Sequence, residues 1–210
     1  MGRTKPDTPR PYHHGNLRAE LVSAAVEAVA EGGAAGLSLR ELARRVGVTH
    51  GAASHHFGDK TGLLTAVAAE GFRLLAAALT AAWEQDHRFE DVGVAYVRFA
   101  VERPGHFEVM FRPELSRPDD PGLLEAKAAS GHVLYESARQ VADAAGGDEV
   151  RAGVAAWAYV HGITTLWRDG NLPSPLGDDP VRLVGEIGTY LFQSSAAAGR
   201  SRSTRARRRR

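Results

Sequence analysis

Imidazole and hydroxyl side chains are concentrated in one short segment, residues 49–56, which reads Thr-His-Gly-Ala-Ala-Ser-His-His. Both groups donate and accept hydrogen bonds, so such a cluster can contact base edges or phosphate oxygens. Imidazoles also bind metal ions, and the chain has nine histidines. The adjacent pairs His13-His14 and His55-His56 would point to different faces of a helix, however. We therefore predict no metal site.

The rest of the chain shows no catalytic signature. It has no cysteine, which excludes disulfides, thiolate zinc cages and cysteine nucleophiles. It has no G-x-S-x-G elbow, no P-loop and no H-E-x-x-H motif. The glycine-rich segment 32–36 follows a predicted helix rather than a strand, so it is not a dinucleotide-binding fingerprint. We predict a protein that is not an enzyme, has no catalytic residues and uses no cofactor.

The imidazole-rich segment belongs to the second of two short predicted helices. The first helix has one apolar face, formed by Leu39, Leu42, Ala43 and Val46. Ser38 and Glu41 have the spacing of a capping box at its start. Gly47 can adopt the positive φ of a tight turn, and Thr49 can cap the second helix. The pattern from Ser38 to Phe57 predicts a helix-turn-helix, with a helical hairpin of no further function as the alternative.

A His-Phe pair, a lysine and a leucine pair end this motif: His56, Phe57, Lys60, Leu63 and Leu64. The segment from Tyr12 to Leu64 thereby resembles the DNA-binding domain of the TetR family of regulators. Its lead-in, Tyr-His-His-Gly-Asn-Leu-Arg over residues 12–18, is similar to a subset of that family. The chain departs from the family pattern at Ser54, where a tyrosine is usual, and at Ala53, where the nearer relatives often have proline.

The candidate DNA contacts follow from the motif together with the resemblance. We expect His50, Ser54 and His55 to reach the major groove first, because short side chains suit a groove about 12 Å wide. Lys60, just after the helix, suits a phosphate. The full candidate set is Ser38, Arg40, Thr49, His50, Gly51, Ala53, Ser54, His55, His56 and Lys60.

Helical periodicity continues along the chain and predicts an all-α fold. Predicted helices cover residues 17–32, 61–85, 89–102, 121–145, 149–168 and 180–195, besides the two short helices. Breaks include Pro104-Gly105, and the only strand-like alternation, residues 106–111, is too short to build a sheet. We divide the chain into a flexible basic arm (1–15), a three-helix DNA-binding domain with the helix-turn-helix (16–70), a larger helical regulatory and dimerisation domain (71–198) and a disordered arginine-rich tail (199–210).

A second motif lies in the larger domain. Trp157, His161 and Gly162 form a Trp-x-x-x-His-Gly pattern that resembles one subclass of TetR C-terminal domains, and the segment 99–111 is similar to the same subclass. Gly162 would let another helix approach closely. The candidate pocket residues are Phe99, Phe107, Met110, Phe111, Trp157 and His161. They line a pocket for a small apolar or aromatic inducer, or they are core residues; the sequence leaves both alternatives open.

Charge and hydropathy suggest the location and the partners. Residues 1–199 carry a net charge of 19 minus 25, or −6, and the last eleven residues add seven arginines. The uncharged run between residues 151 and 168 is too short and polar to span a membrane, and residues 1–16 form no signal peptide. We expect a cytoplasmic protein without a membrane partner, associated with the nucleoid when it is bound to DNA.

The resemblance implies a homodimer on double-stranded operator DNA, formed through the last two long helices. It also implies repression that a small-molecule inducer relieves. The alternative is a helical ligand-binding or scaffold protein whose operator binding has degraded.

Overall fold

The structure, a computed structural model, describes residues 17–145 and 147–190, and within these ranges it contains nine α-helices. The helices are α1 (Leu17–Gly32), α2 (Leu39–Val46), α3 (His50–Phe57), α4 (Lys60–Asp86), α5 (Phe89–Glu102), α6 (Pro104–Met110), α7 (Pro121–Ala145), α8 (Glu149–Arg168) and α9 (180–190). Two short 3₁₀ turns, Pro113–Leu115 and Ser174–Leu176, complete the secondary structure. The prediction of an all-α fold is confirmed. The predicted arm 1–15, tail 199–210 and helical residues 191–195 lie outside the described residues.

Helix α4 is the centre of the molecule. It contacts α1 and α3, which precede it in the sequence, and α5, α6 and α7, which follow it. By length and composition alone it could cross a membrane, but 67% of its most apolar window is buried inside the protein. Its apolar character is therefore that of a core helix that two groups of helices share.

The segment 104–110 is a helix, where the sequence predicted a break followed by a strand-like alternation. Pro104 occupies the first helical position, where its missing N–H has no intrahelical partner to lose. Of the six residues that follow, Glu108 is partly exposed and the other five are buried: Gly105, His106, Phe107, Val109 and Met110. With five of its seven residues buried, this short helix has too few polar positions to show a helical period, so its hydrophobic pattern cannot be distinguished from that of a strand.

Two glycines let α6 approach its neighbours at main-chain distance. A Cβ atom added to Gly105 would lie 2.2 Å from the carbonyl oxygen of Val26 in α1. A Cβ atom added to Gly71 in α4 would lie 2.6 Å from the sulfur of Met110. Helix α6 is therefore packed tightly between α1 and α4.

The predicted division between residues 70 and 71 falls inside α4, which continues unbroken for 27 residues. The two groups of helices thus share one continuous helix rather than a linker. As a boundary between two domains, this division stays a prediction.

We predict that Gly105→Ala destabilises the protein by about 1–3 kcal/mol, because the added methyl group must push α6 away from the main chain of α1. Gly32→Ala, at the end of α1, is the control. No atom lies within 4 Å of a Cβ added there, so this change should be neutral or stabilising by up to ~1 kcal/mol. Urea unfolding of both variants measures the difference, and equal stabilities would contradict the close packing of α6.

Candidate nucleic-acid interface

Helix α3 is held to the protein by one face and exposes the other. Ala53 and Phe57, four residues apart, are 0% and 5% exposed and belong to the core. His50, His55 and His56 are exposed to solvent. The structure thus brings three of the predicted imidazoles together on an outer surface, whereas it buries the candidate residue Ala53, whose methyl group cannot contact DNA here.

The turn before α3 has the predicted geometry. Gly47 adopts a φ of 83°, in the left-handed region, and its N–H donates to the carbonyl oxygen of Arg44 at 3.2 Å. The N–H of Val48 donates to the carbonyl oxygen of Ala43 at 2.8 Å. Thr49 caps α3 by accepting a hydrogen bond from the N–H of Ala52 at 3.2 Å. The helix-turn-helix prediction is therefore confirmed, including the turn at Gly47 and the N-cap at Thr49.

The predicted capping box at the start of α2 was wrong. The Ser38 side chain makes no capping hydrogen bond, although Ser38 is the N-cap residue. The Glu41 carboxylate is bound instead by the guanidinium of Arg44, one turn further along the same exposed face. This hydrogen-bonded pairing lowers the pKa of Glu41. The first amides of α2 therefore have no side-chain acceptor, and the Ser38 hydroxyl is not used as a cap.

The cations around the two helices differ in how far they are already paired. Arg45 in α2 donates to the Glu27 carboxylate at 3.1 Å, which ties α2 to α1. Lys60 donates to the carbonyl oxygen of Ala35 at 2.8 Å, which ties the start of α4 to the loop after α1. Arg40 is exposed and has no ion pair or hydrogen bond among the residues that the structure describes. Arg40 is thus the predicted contact with an uncommitted guanidinium.

The hydroxyl of Ser54 lies 3.4 Å from Nε2 of His50, one turn earlier on the same face of α3. One ring nitrogen of His50 therefore has a partner within the helix. The rings of His55 and His56 lie edge to face, with centroids 5.8 Å apart. The outer face thus has two parts, a hydroxyl-imidazole pair and a pair of neighbouring imidazoles. Gly51 is exposed on the same helix and has no side chain that would project from this face.

The C-terminal end of α3 is anchored from two directions. The guanidinium carbon of Arg18 in α1 lies 5.4 Å from the centroid of the Phe57 ring, a cation–π contact. Asp59, two residues after Phe57, caps α4 by accepting from the N–H of Gly62 at 2.8 Å. The position of α3 is therefore tied to both α1 and α4.

A residue that the sequence analysis missed joins this anchor. Arg117, in the loop between α6 and α7, donates to the Asp59 carboxylate at 3.0 Å. Its main-chain N–H donates to the hydroxyl of Thr65 in α4 at 2.9 Å. Arg117 is 58 residues from Asp59 in sequence, and no local pattern signals such a contact. The loop after α6 is thus hydrogen-bonded to the start of α4, next to the end of α3.

A cavity of about 460 Å³ lies among α4, α5, α7, α8 and α9. Of the six predicted pocket residues, Met110, Phe111 and Trp157 line it. Phe99, Phe107 and His161 do not line it, and Phe99 is a buried core residue. The predicted pocket residues are thus divided between the cavity wall and the core behind it.

His161 has a hydrogen-bond partner inside the protein. Its Nδ1 lies 2.8 Å from the hydroxyl oxygen of Tyr96. Burial raises the pKa of Tyr96 and lowers the pKa of His161, so this hydrogen bond joins two neutral side chains. The rings of Phe107, Phe111 and Trp157 surround the imidazole, with centroids between 4.8 and 5.9 Å from its own. His161 thereby orders an aromatic cluster next to the cavity.

Gly162, the last residue of the Trp-x-x-x-His-Gly pattern, does not provide the predicted close approach to any residue that the structure describes. No atom lies within 4 Å of a Cβ added there.

Two family models match the chain. The model described as bacterial regulatory proteins of the TetR family matches residues 21–67, and the model described as tetracyclin repressor-like, C-terminal domain, matches residues 89–186. The first match contains α2 and α3, and the second contains most of the cavity wall.

Individual proteins agree with these matches. The HTH-type transcriptional regulator BetI of Ectopseudomonas mendocina is 39% identical over 132 aligned positions, and the alignment covers 57% of this chain and 64% of that protein. The chain thus spans less than two thirds of this curated relative. Among solved structures, a Rhodococcus sp. RHA1 protein of unknown function has a TM-score of 0.74 and 33% identity, over 88% of this chain and 98% of that one. The regulator PfmR of Thermus thermophilus shares the fold, with a TM-score of 0.64 and 19% identity over 82% and 97% of the two chains.

We predict that Asp59→Ala lowers the free energy of unfolding by about 0.5–2 kcal/mol at pH 7, because α4 loses its N-cap. Asp59→Asn keeps an acceptor for the N–H of Gly62 but removes the charge that faces Arg117. The hydrogen bond from Gly62, and then Arg117, lowers the pKa of Asp59.

The charge of Asp59 therefore stabilises the fold above the ordinary carboxyl pKa of about 3.9, and this stabilisation is lost as pH falls through the lower pKa of the folded state. Urea unfolding between pH 7 and pH 2 measures it. The wild type and Asp59→Asn should converge at low pH, and a constant difference between them would contradict the role of the charge.

Proposed function

Because the chain belongs to the TetR family of transcriptional regulators, which are not enzymes, we propose that it is a repressor that binds operator DNA through α3 and is released by a small ligand. The observation that carries the DNA-binding part is the outer face of α3. Ala53 and Phe57 hold that helix from behind, while His50, His55 and His56 point outward. A helix of eight residues, about 12 Å long, fits the major groove with these side chains toward the bases.

The start of α2 supports a second contact, with the DNA backbone. The Ser38 hydroxyl and the first amides of α2 lack a side-chain cap, and the guanidinium of Arg40 is uncommitted within the described residues. Amides at a helix N-terminus and an arginine are the groups that bind phosphate oxygens in proteins. A phosphate seated here would fix the register of α3 in the groove.

Within α3, we assign different roles to the imidazoles. His50 shares a ring nitrogen with the Ser54 hydroxyl, so its ring is oriented by a neighbour and suits reading a base edge. His55, one residue beyond Ser54, is exposed without such a brace. A tyrosine in place of Ser54 would reach a phosphate, whereas this serine supports His50 instead.

A twofold dimer would bring two copies of α3 to successive major grooves about 34 Å apart. Apolar side chains on α8 support such a dimer: Val150, Val154 and Leu166 are 51%, 46% and 45% exposed. Gly162, on the same helix, has open space around it and would let a helix of a second copy approach closely. We propose that α8 and α9 form the interface, and that the protein acts in the cytoplasm, on the nucleoid when it is bound to DNA.

The cavity supports release by a ligand. Met110 of α6 lines it and, at the same time, contacts the main chain of α4 at Gly71. Gly105, at the other end of α6, touches α1 at Val26. A ligand that moves α6 would therefore shift both helices that hold α3, and it would favour release only if it binds the DNA-incompetent state more tightly.

We also place the second domain in the subclass that carries the Trp-x-x-x-His-Gly pattern.

The function is tested by selecting bound sequences from random DNA with the wild type, His50→Ala and His55→Ala. We expect His50→Ala to relax the preference at one base position and cost about 1–3 kcal/mol on the selected site. We expect His55→Ala to weaken all sequences about equally, as the loss of a phosphate contact does. His132→Ala, an equally small change at an exposed histidine of α7, is the control and should change neither.

The affinity of the selected site should also fall steeply with salt as bound phosphates release counterions. Equal affinity for the selected site and for random duplex would refute operator binding and favour a helical ligand-binding or scaffold protein.

The dimer is tested separately. We expect Val154→Glu to raise the dissociation constant of the dimer by at least about 100-fold, because each copy places an unpaired charge in the interface. Leu124→Glu is the control, since Leu124 is 51% exposed but lies on α7. Sedimentation at micromolar concentration should show monomers for the first variant and dimers for the second. A monomeric wild type would contradict the proposed dimer.

A further inference from the structure

The cavity wall carries an ammonium group. Lys127, in the second turn of α7, lines the cavity and is half-buried. Its Nζ lies 5.6 Å from the centroid of the Phe72 ring, which lines the same end. The lysine thus lies across an aromatic face of the cavity.

Among the residues that the structure describes, this ammonium has no counter-charge. Within the described residues, Lys127 forms no ion pair, and no side chain or carbonyl group accepts a hydrogen bond from its Nζ. The other charged residue of the wall, Glu90, belongs to the first turn of α5, which begins three residues after α4 ends at Asp86. Phe72 lies fourteen residues before Asp86, or about 20 Å along the axis of α4. Lys127 and Glu90 therefore mark opposite ends of the cavity.

The remaining wall is apolar and open. Phe111 and Trp157 extend the aromatic surface that begins at Phe72, and the rings of Phe72 and Phe111 meet edge to face at 5.4 Å. Room for a ligand exists because four wall positions are glycines, namely Gly93, Gly131, Gly185 and Gly188. The volume lies in the range of sites that take drug-sized molecules.

We propose that this cavity binds an amphipathic organic anion, with its anionic group against the ammonium of Lys127 and its apolar body along Phe72, Phe111 and Trp157. The inference rests on the ligand-released regulation proposed above, and it replaces a purely apolar inducer by a charged one. A neutral ligand would remove water from the ammonium without supplying a partner, whereas an anion supplies a charge-assisted hydrogen bond. A cation would be repelled.

Two dyes with the same anilinonaphthalene body test the charge. 8-Anilinonaphthalene-1-sulfonate carries an anionic group, and N-phenyl-1-naphthylamine does not. Fluorescence titration of the full chain without DNA should show that Lys127→Met weakens binding of the sulfonate about tenfold and leaves the neutral dye within about twofold. Lys127→Arg keeps the charge and should retain sulfonate binding.

A second variant locates the dyes. Gly131→Leu fills the cavity with an isobutyl group, and a Cβ added at Gly131 meets only ordinary contact, 3.6 Å from the Tyr135 ring. This change should weaken both dyes. Displacement of the sulfonate dye by 1-naphthylacetate or by 1-naphthyl phosphate, in a manner that depends on Lys127, would distinguish a carboxylate from a phosphate ligand.

Three results would overturn the inference: Lys127→Met weakens the two dyes equally, it weakens neither, or Gly131→Leu leaves sulfonate binding unchanged. A failure of the proposed function looks different. In that case the wild type would not prefer a selected DNA site, while the dependence of anion binding on Lys127 would persist.

Discussion

Helix α6 lies so close to α1 and α4 that its two contact points, at Gly105 and Gly71, leave no space for a side-chain carbon. The placement of the outer face of α3 depends on this contact, because α1 carries the arginine that covers Phe57 and α4 begins at the cap beside the end of α3. The same short helix contributes Met110 to the cavity. One close-packed element thus borders both the cavity and the helices that hold α3, so neither can change shape without involving it.

The charged side chains around α2 and α3 are largely paired within the protein. Arg44 is bound to Glu41, Arg45 to Glu27, and Lys60 to a carbonyl oxygen. The exposed face of α3 itself carries imidazoles and hydroxyls rather than lysines or arginines. Within the described residues, this surface therefore offers few uncommitted cations, and most of its free polar groups are ones that both donate and accept hydrogen bonds.

The sequence was most informative where structure is set by near neighbours. Gly47 and Thr49 act as their types and spacing predict, because a left-handed turn and an N-cap are local features. Ser38 and Glu41 failed as a capping box because Arg44, also local, competed for the carboxylate. Helix α6 was missed because it has only seven residues, five of them buried, which leaves too few polar positions for a helical period to show. The cavity wall and the Arg117 contact bring together residues far apart in the chain, which no single-sequence pattern encodes.

Helix α4 runs without interruption from the end of the DNA-reading motif to the far end of the cavity, about 40 Å. The orientation of one group of helices relative to the other therefore depends on the number of residues in α4. Inserting or deleting a single residue in α4 would rotate everything beyond it by about 100° and shift it by about 1.5 Å. Relatives that exchange one half for another, in evolution or in the construction of hybrid regulators, must join within this helix in phase. The length of α4 is thus under a constraint as strict as the identity of any residue in it.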